Sequence, residues 1–131
     1  MTNREHEPEI IFIYSRREAI CDGVQKEITD AAREAGIRYP VFITLSVYAE
    51  YVNVPSGVEG QDEDGRLWDI VWMLACAIRS SAAGSDAISF QLYVRNSNEG
   101  EPELVTLSAV CGPLDFDDPQ PAITIMLPGE D

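Results

Sequence analysis

The sequence predicts an α+β fold in which N-terminal helices pack on one face of a C-terminal antiparallel sheet of three or more strands. Helix caps and helix-forming runs lie before Ser80, and the apolar/polar alternation typical of strands begins at Ala87. The length, 131 residues, is that of one ordinary domain, which can bury a core without metals or disulfides. We therefore expect a loose polar tail over residues 1–9 and a single domain over residues 10–131.

Local signals define the first two helices. Ser15 and Glu18 have the spacing of a capping box, in which two side chains satisfy each other's free backbone amides, so a helix is expected from about Arg16 to Cys21. Thr29 is expected to cap a second helix that stops at a glycine. The stretch between them, Val24 to Ile28, is expected to be a short strand.

Two more helices are expected before the sheet. Val41–Ile43 reads as an extended segment, and Thr44 then caps a short helix. The segment from Arg66 to Ser80 is apolar around most of its circumference, which predicts a largely buried helix. Trp68 and Trp72 lie one turn apart on it, and we expect both to pack in the core rather than to contact a ligand or a partner.

The last third of the chain has the period of strands. Ala87–Arg95 alternates apolar and polar residues, and Glu103–Cys111 and Ala122–Leu127 are expected to be the next two strands. A turn is expected at residues 96–102 and an acidic loop from Gly112 to Pro121.

The charge balance is the unusual property of the composition. The chain has 23 acids against nine Lys or Arg, a net charge of −14, and residues 96–131 contain eight acids and no Lys or Arg. Nucleic acids and anionic membranes are bound through Lys and Arg, so we expect neither as a direct partner. A basic protein is the partner that this charge favours.

Several classes of site are disfavoured by the residues present. The one histidine, His6, falls in the expected tail, which leaves Ser-His and Cys-His catalysis and Cys/His zinc sites without an imidazole. No glycine-rich nucleotide loop occurs, and no cofactor is expected. The three cysteines are far apart, and the longest apolar run, Ile70–Ile78, is too short to cross a bilayer, so a cytoplasmic protein is expected.

Loop carboxylates are the remaining candidates. As a surface for a basic, nucleic-acid-binding protein, we select the following acids of the loops: Glu59, Asp62, Glu63, Glu99, Glu101, Asp115, Asp117 and Asp118. An alternative is a metal-dependent hydrolase or transferase that uses Asp115, Asp117 and Asp118 with an acid of the 59–64 loop. A third reading is a homodimer joined through a sheet edge or an exposed aromatic patch.

Asp69 is a separate candidate. It lies between Trp68 and Ile70 on the most apolar helix of the chain, so it must reach the wet edge of that helix or find a buried partner. We single it out as a candidate buried functional acid.

Several stretches together resemble a family of small bacterial proteins of unknown function that are often encoded on plasmids and other mobile elements. The stretches are Ile13–Ser15, Ala19–Ile20, Asp22–Val24, Ala31–Gly36, Asp64–Asp69, Val110–Pro113 and Ile123–Asp131. The resemblance implies no reaction and no catalytic residue. It implies a cytoplasmic bacterial protein that serves as an accessory of a mobile element. Taken with the net charge of −14, this context makes an anti-defence factor that imitates the charge of DNA one specific version of the binding module.

Overall fold

The computed structural model of the protein describes residues 14–81 and 85–130. The predicted tail over residues 1–9, with His6, lies outside the described residues. The helices are α1 (Arg16–Cys21), α2 (Thr29–Glu34), α3 (Leu45–Val47), which continues as a π-helical turn (Tyr48–Val52), and α4 (Glu63–Ser80). The strands are β1 (Gln25–Glu27), β2 (Val41–Thr44), β3 (Ala87–Val94), β4 (Glu103–Asp115) and β5 (Asp118–Met126).

The five strands form one mixed sheet in the order β1-β2-β5-β4-β3. The α+β class is confirmed, and β3, β4 and β5 pair antiparallel as predicted. The N-terminal half adds two strands: β1 pairs antiparallel with β2, and β2 pairs parallel with β5. The antiparallel prediction did not include this parallel pair, because its strands come from opposite ends of the chain and no local signal links them.

The main core lies between one face of the sheet and helices α2, α3 and α4. Side chains on that face alternate with outward residues along each strand, as Phe90, Leu92 and Val94 do in β3. The largest side chains that are fully buried come from both layers: Ile43, Ile70, Leu74, Leu107 and Ile125. This burial fixes the position of α4 over β3 and of the loops at its N-terminal end.

Helix α1 lies on the opposite face of the sheet. Phe42 and Thr124 are register partners that alternate with core residues, so they point away from the main core. Arg16 of α1 covers both: its guanidinium carbon lies 4.1 Å from the Phe42 ring centre and its Nη1 donates to Thr124 Oγ1 at 3.0 Å. The helices therefore cover both faces, rather than the single face predicted.

The helix starts confirm some predicted caps and correct others. The capping box of Ser15 and Glu18 is present, and Thr44 caps α3 by accepting from the Val47 N–H. The cap at Thr29 was wrong: Ile28 is the N-cap, and the Thr29 hydroxyl instead accepts the Val41 N–H, tying α2 to β2. A hydroxyl that can reach a neighbouring strand is not restricted to its own helix.

Helix α4 starts one turn earlier than predicted, at Glu63 instead of Arg66. Asp62 is its N-cap and accepts the Gly65 N–H at 2.6 Å. The acids of this stretch thus begin a helix, since a carboxylate can satisfy a free amide there and complements the positive end of the helix dipole.

The acidic loop predicted from Gly112 to Pro121 was wrong. β4 continues to Asp115 and β5 begins at Asp118, so Phe116 and Asp117 alone form the turn of a hairpin. Pro113, Pro119 and Pro121 lie within these two strands, close to a register shift between Pro113 and Asp115.

The expectation that both tryptophans pack in the core was also wrong. Trp68 is 38% exposed and Trp72 is 43% exposed, and their rings stack on each other with centres 5.8 Å apart.

Among the described residues, no helix is both long and apolar enough to span a bilayer.

Candidate functional site

Arg66 joins two acidic loops at the N-terminal end of α4. Its side chain is almost fully buried, with 4% of the residue exposed. Its Nε donates to the Tyr51 carbonyl at 2.9 Å, its Nη1 to the Arg95 carbonyl at 2.9 Å, and its Nη2 to Asn96 Oδ1 at 2.6 Å. Arg66 therefore connects the end of the π-helical turn to the segment after β3, and burial lowers the pKa of its guanidinium.

Two asparagines complete the connection. Asn96 Nδ2 donates to the Glu50 carbonyl at 3.0 Å. Asn98 bridges the loops in both directions: its Oδ1 accepts the Glu59 N–H at 2.8 Å and its Nδ2 donates to the Gly57 carbonyl at 2.8 Å. The loop before α4 and the loop between β3 and β4 are thus held side by side.

This arrangement brings exposed acids together. We call the following eight residues the acidic surface: Glu50, Glu59, Asp62, Glu63, Asp64, Glu99, Glu101 and Glu103. The charges of Glu50 and Glu103 both reach Tyr51, where they add to burial in raising the pKa of its phenol. Within residues 14–81 and 85–130, none of the eight forms a salt bridge.

Arg66 and Arg95, which lie beside the acidic surface, form no salt bridges with its acids. Arg66 bonds to carbonyls and to an amide, and Arg95 Nη1 donates to the carbonyls of Ser97 and Gly100. One carboxylate has an internal partner: Glu63 accepts from the Tyr48 hydroxyl at 3.1 Å, and burial together with this bond raises the Tyr48 pKa. The surface therefore presents carboxylates to solvent on a fixed backbone.

The remaining predicted acids lie elsewhere, at the β4–β5 turn, where two of the three bind α1. Asp115 is buried and accepts the backbone N–H groups of Arg16 and Arg17 at 3.0 and 3.1 Å. Asp117 makes a two-pronged pair with the Arg17 guanidinium, at 3.1 and 3.0 Å. Asp118 accepts the Gln120 N–H at 3.0 Å.

These contacts stabilise the charged carboxylates at the turn. For Asp115, burial favours the neutral form, but the N–H groups of Phe116, Arg16 and Arg17 outweigh it, so its pKa lies below the usual range. The hydrogen bond from Arg17 lowers the pKa of Asp117 as well. These groups attach helix α1 to the hairpin.

The eight residues selected from the sequence thus fall into two groups. Glu59, Asp62, Glu63, Glu99 and Glu101 come together in the acidic surface, whereas Asp115, Asp117 and Asp118 lie at the other end of β4. At about 3.3 Å per residue, a strand as long as β4 separates the groups by about 40 Å. The 59–64 loop consequently does not meet the turn, and no cluster of three or more metal-ligating side chains occurs among the described residues.

The family comparison covers every residue of the chain. A family of unknown function, DUF6573, matches residues 1–131. The chain belongs to this family. No curated protein and no solved structure matches it. The family assigns no reaction, so the site of this DUF6573 member rests on its own geometry.

Sequence reasoning missed the residues that organise the site. Arg66, Asn96 and Asn98 were not selected, because their role depends on acceptors that lie far away in the chain. One signal was available: an arginine near the start of an otherwise apolar helix must find buried acceptors or leave the core.

Asp69 lies on the exposed side of α4, so the expected burial was wrong. It lines a groove with Trp72 and Met73 of α4 and with Gln91 and Tyr93 of β3. Partial burial in this groove raises its pKa. The groove therefore combines exposed aromatic surface with one carboxylate beside β3, the strand at the edge of the sheet.

A second cavity, of about 490 Å³, lies towards the opposite end of α4. Leu74, Ile78 and Ile123 contribute to its wall, and Asp86 and Cys111 lie at its margin. Among the described residues that line it, Asp86 is the one carboxylate, so the cavity offers no paired acids for hydrolysis.

Proposed function

We propose that this protein is a non-enzymatic binding module whose acidic surface engages a basic protein. The observation that carries the proposal is the set of eight exposed acids on and beside the two loops that Arg66, Asn96 and Asn98 hold together. Ordering these loops before association lowers the entropy lost on binding. Acids without internal ion pairs are also free to attract a basic surface over several ångströms.

The partner class that we favour is a nucleic-acid-binding protein. Such a protein carries Lys and Arg arranged to neutralise phosphates, and the acidic surface would occupy the same groups. This competition would suit an accessory of a bacterial plasmid or another mobile element that counters a host defence protein. The proposal places the protein in the cytoplasm, in keeping with the free thiols of Cys21, Cys76 and Cys111.

The acids of the β4–β5 turn are not included in the proposed surface. Asp115 and Asp117 already have partners in α1. Breaking those contacts to bind another protein would remove the attachment of α1 to the hairpin. A partner is expected to bind at the acidic surface instead.

The test is retention of a basic protein from bacterial lysate on immobilised protein. We expect the double variant Glu99→Lys and Glu101→Lys to lose a partner that the native protein retains. Retention should also fall between about 0.1 M and about 1 M salt, as the Debye length shrinks from about 10 Å to about 3 Å. Added double-stranded DNA should displace the partner, which is then purified and titrated by calorimetry.

The matched control makes a charge change of the same size on helix α2. Asp30→Lys with Glu34→Lys gives the same net charge but leaves the acidic surface intact, and both residues are exposed. This control should keep the partner. If both double variants lose the partner equally, the attraction depends on net charge alone and the proposed surface is wrong; the same holds if no salt-sensitive partner is retained.

A further inference from the structure

The exposed side of α4 carries a row of aromatic side chains that begins in the acidic surface. Asp64, Trp68 and Trp72 follow one another at intervals of one helical turn, so they lie along the same side of the helix. All three residues are exposed. Asp64 belongs to the acidic surface, so the two tryptophans continue that surface along α4.

Trp72 shows which kind of group this row accepts. Its ring stacks on the ring of Trp68, and the guanidinium carbon of Arg79 lies 5.5 Å from its ring centre. A guanidinium at this distance is attracted by the negative face of an indole ring. Arg79 lies about two turns further along α4, so the C-terminal end of the row already holds a cation.

Trp68, at the other end of the aromatic pair, has no such cation. Side chains of a helix lean towards its N-terminus, so Trp72 leans over Trp68 and Trp68 leans towards Asp64. Four aromatic rings in the described part of the chain have a Lys or Arg beside them, and the ring of Trp68 is not among them. Within the same residues, Asp64 forms no salt bridge.

We propose that Trp68 and Asp64 together bind an arginine side chain of the basic partner. The guanidinium stacks on the indole ring of Trp68, as that of Arg79 does at Trp72, and donates to the Asp64 carboxylate. This arginine site rests on the proposed function and specifies the chemistry of the partner. A guanidinium is flat and weakly hydrated, so it can stack and donate at the same time, whereas the ammonium of lysine is a strongly hydrated point charge.

Charge favours an arginine over other groups that could cover an exposed tryptophan here. A second copy of this chain would bring its own net charge of −14 to the acidic surface and would be repelled. A purely apolar group would remove water from the Asp64 carboxylate without replacing its hydrogen bonds. An arginine supplies an apolar face for the ring and a cation for the carboxylate. Tryptophan and arginine are also the residues most enriched at the energetic centres of protein interfaces.

The test compares two peptides of equal charge, hexaarginine and hexalysine. In calorimetry at one salt concentration, the native protein should bind hexaarginine about two- to fivefold more tightly than hexalysine. Both tryptophans of the chain lie in this row, so intrinsic fluorescence reports on it directly. Hexaarginine should change the emission more than hexalysine does at equal saturation. If the emission instead changes on dilution of the protein alone, a second copy covers the row and the proposal is overturned.

Three single variants locate the preference for arginine. Trp68→Leu keeps an apolar side chain without a ring, so the two dissociation constants should become equal. Asp64→Asn should reduce the preference as well. Asp69→Asn is its matched control: it removes an exposed carboxylate from the same helix, but Asp69 lies about 100° around the helix from Trp68, so the preference should be kept. Circular dichroism confirms that each variant is folded.

The results distinguish the arginine site from the acidic surface. The double variant Glu99→Lys and Glu101→Lys should weaken binding of both peptides and keep their ratio. If the native protein binds both peptides equally, does not bind hexaarginine, or keeps its preference in Trp68→Leu, the arginine site is wrong. If the preference depends on Trp68 but the double variant binds both peptides as tightly as the native chain, the acidic surface is wrong and the arginine site stands.

Discussion

Replacing Arg66 by methionine should destabilise the domain and loosen both acidic loops. The methionine fills similar space but cannot donate to the Tyr51 and Arg95 carbonyls or to Asn96. Each lost bond is worth about 1 kcal/mol or somewhat more, while removal of a buried charge returns part of the loss. We therefore expect the free energy of unfolding to fall by about 3 kcal/mol, a large part of the about 5–15 kcal/mol typical of a domain.

The assay is urea denaturation followed by circular dichroism, together with thermal unfolding. A loss of about 3 kcal/mol should lower Tm by about 10 °C for a domain of this size. Hydrogen exchange should also accelerate in the segments around Gly57 and Asn98, because the bonds between the loops depend on the position fixed by Arg66.

The control is another arginine of α4. Arg79 is exposed near the end of the helix, so Arg79→Met should change the unfolding free energy by no more than about 0.5 kcal/mol. If Arg66→Met costs less than about 1 kcal/mol, or if exchange in the loops does not change, then the three bonds are not what holds the loops together.

Further variants test the remaining features. Leu74→Ala should lower the free energy of unfolding by about 2–5 kcal/mol in denaturant titrations, because it leaves a cavity in the core. Trp72→Ala, on the exposed side of α4, should lower it by well under half as much. Equal losses would contradict the observed exposure of Trp72. Because the pKa of Asp115 is lowered in the fold, its carboxylate stabilises the protein above pH 3.8, its ordinary pKa, and this stability is lost as the pH falls through the lower folded pKa. Asp115→Asn should therefore flatten the acid limb of a curve of stability against pH. An unchanged acid limb would refute this assignment.

Signals within short segments of the sequence predict most of the secondary structure. The helix boundaries of α1, the strand at Val41, and the alternation in β3 all follow from caps and periods that lie within a few neighbouring residues. The acidic character of the loops was likewise visible in the composition, since charge needs no fold to be counted. These features could be predicted because the interactions that produce them act over one or two turns of chain.

Tertiary structure alone decided which of these parts meet. The parallel pairing of β2 with β5, the face on which α1 lies, and the bonds of Arg66 all join residues distant in sequence. An apolar helix does not specify which of its sides faces outward, so the exposure of Trp68 and Trp72 depended on what packs against α4. For the same reason the sequence could name the acids but not divide them. Five are brought into one surface, and three lie at the far end of β4, where Asp115 and Asp117 attach a helix, because only the folded sheet sets the distance between its loops.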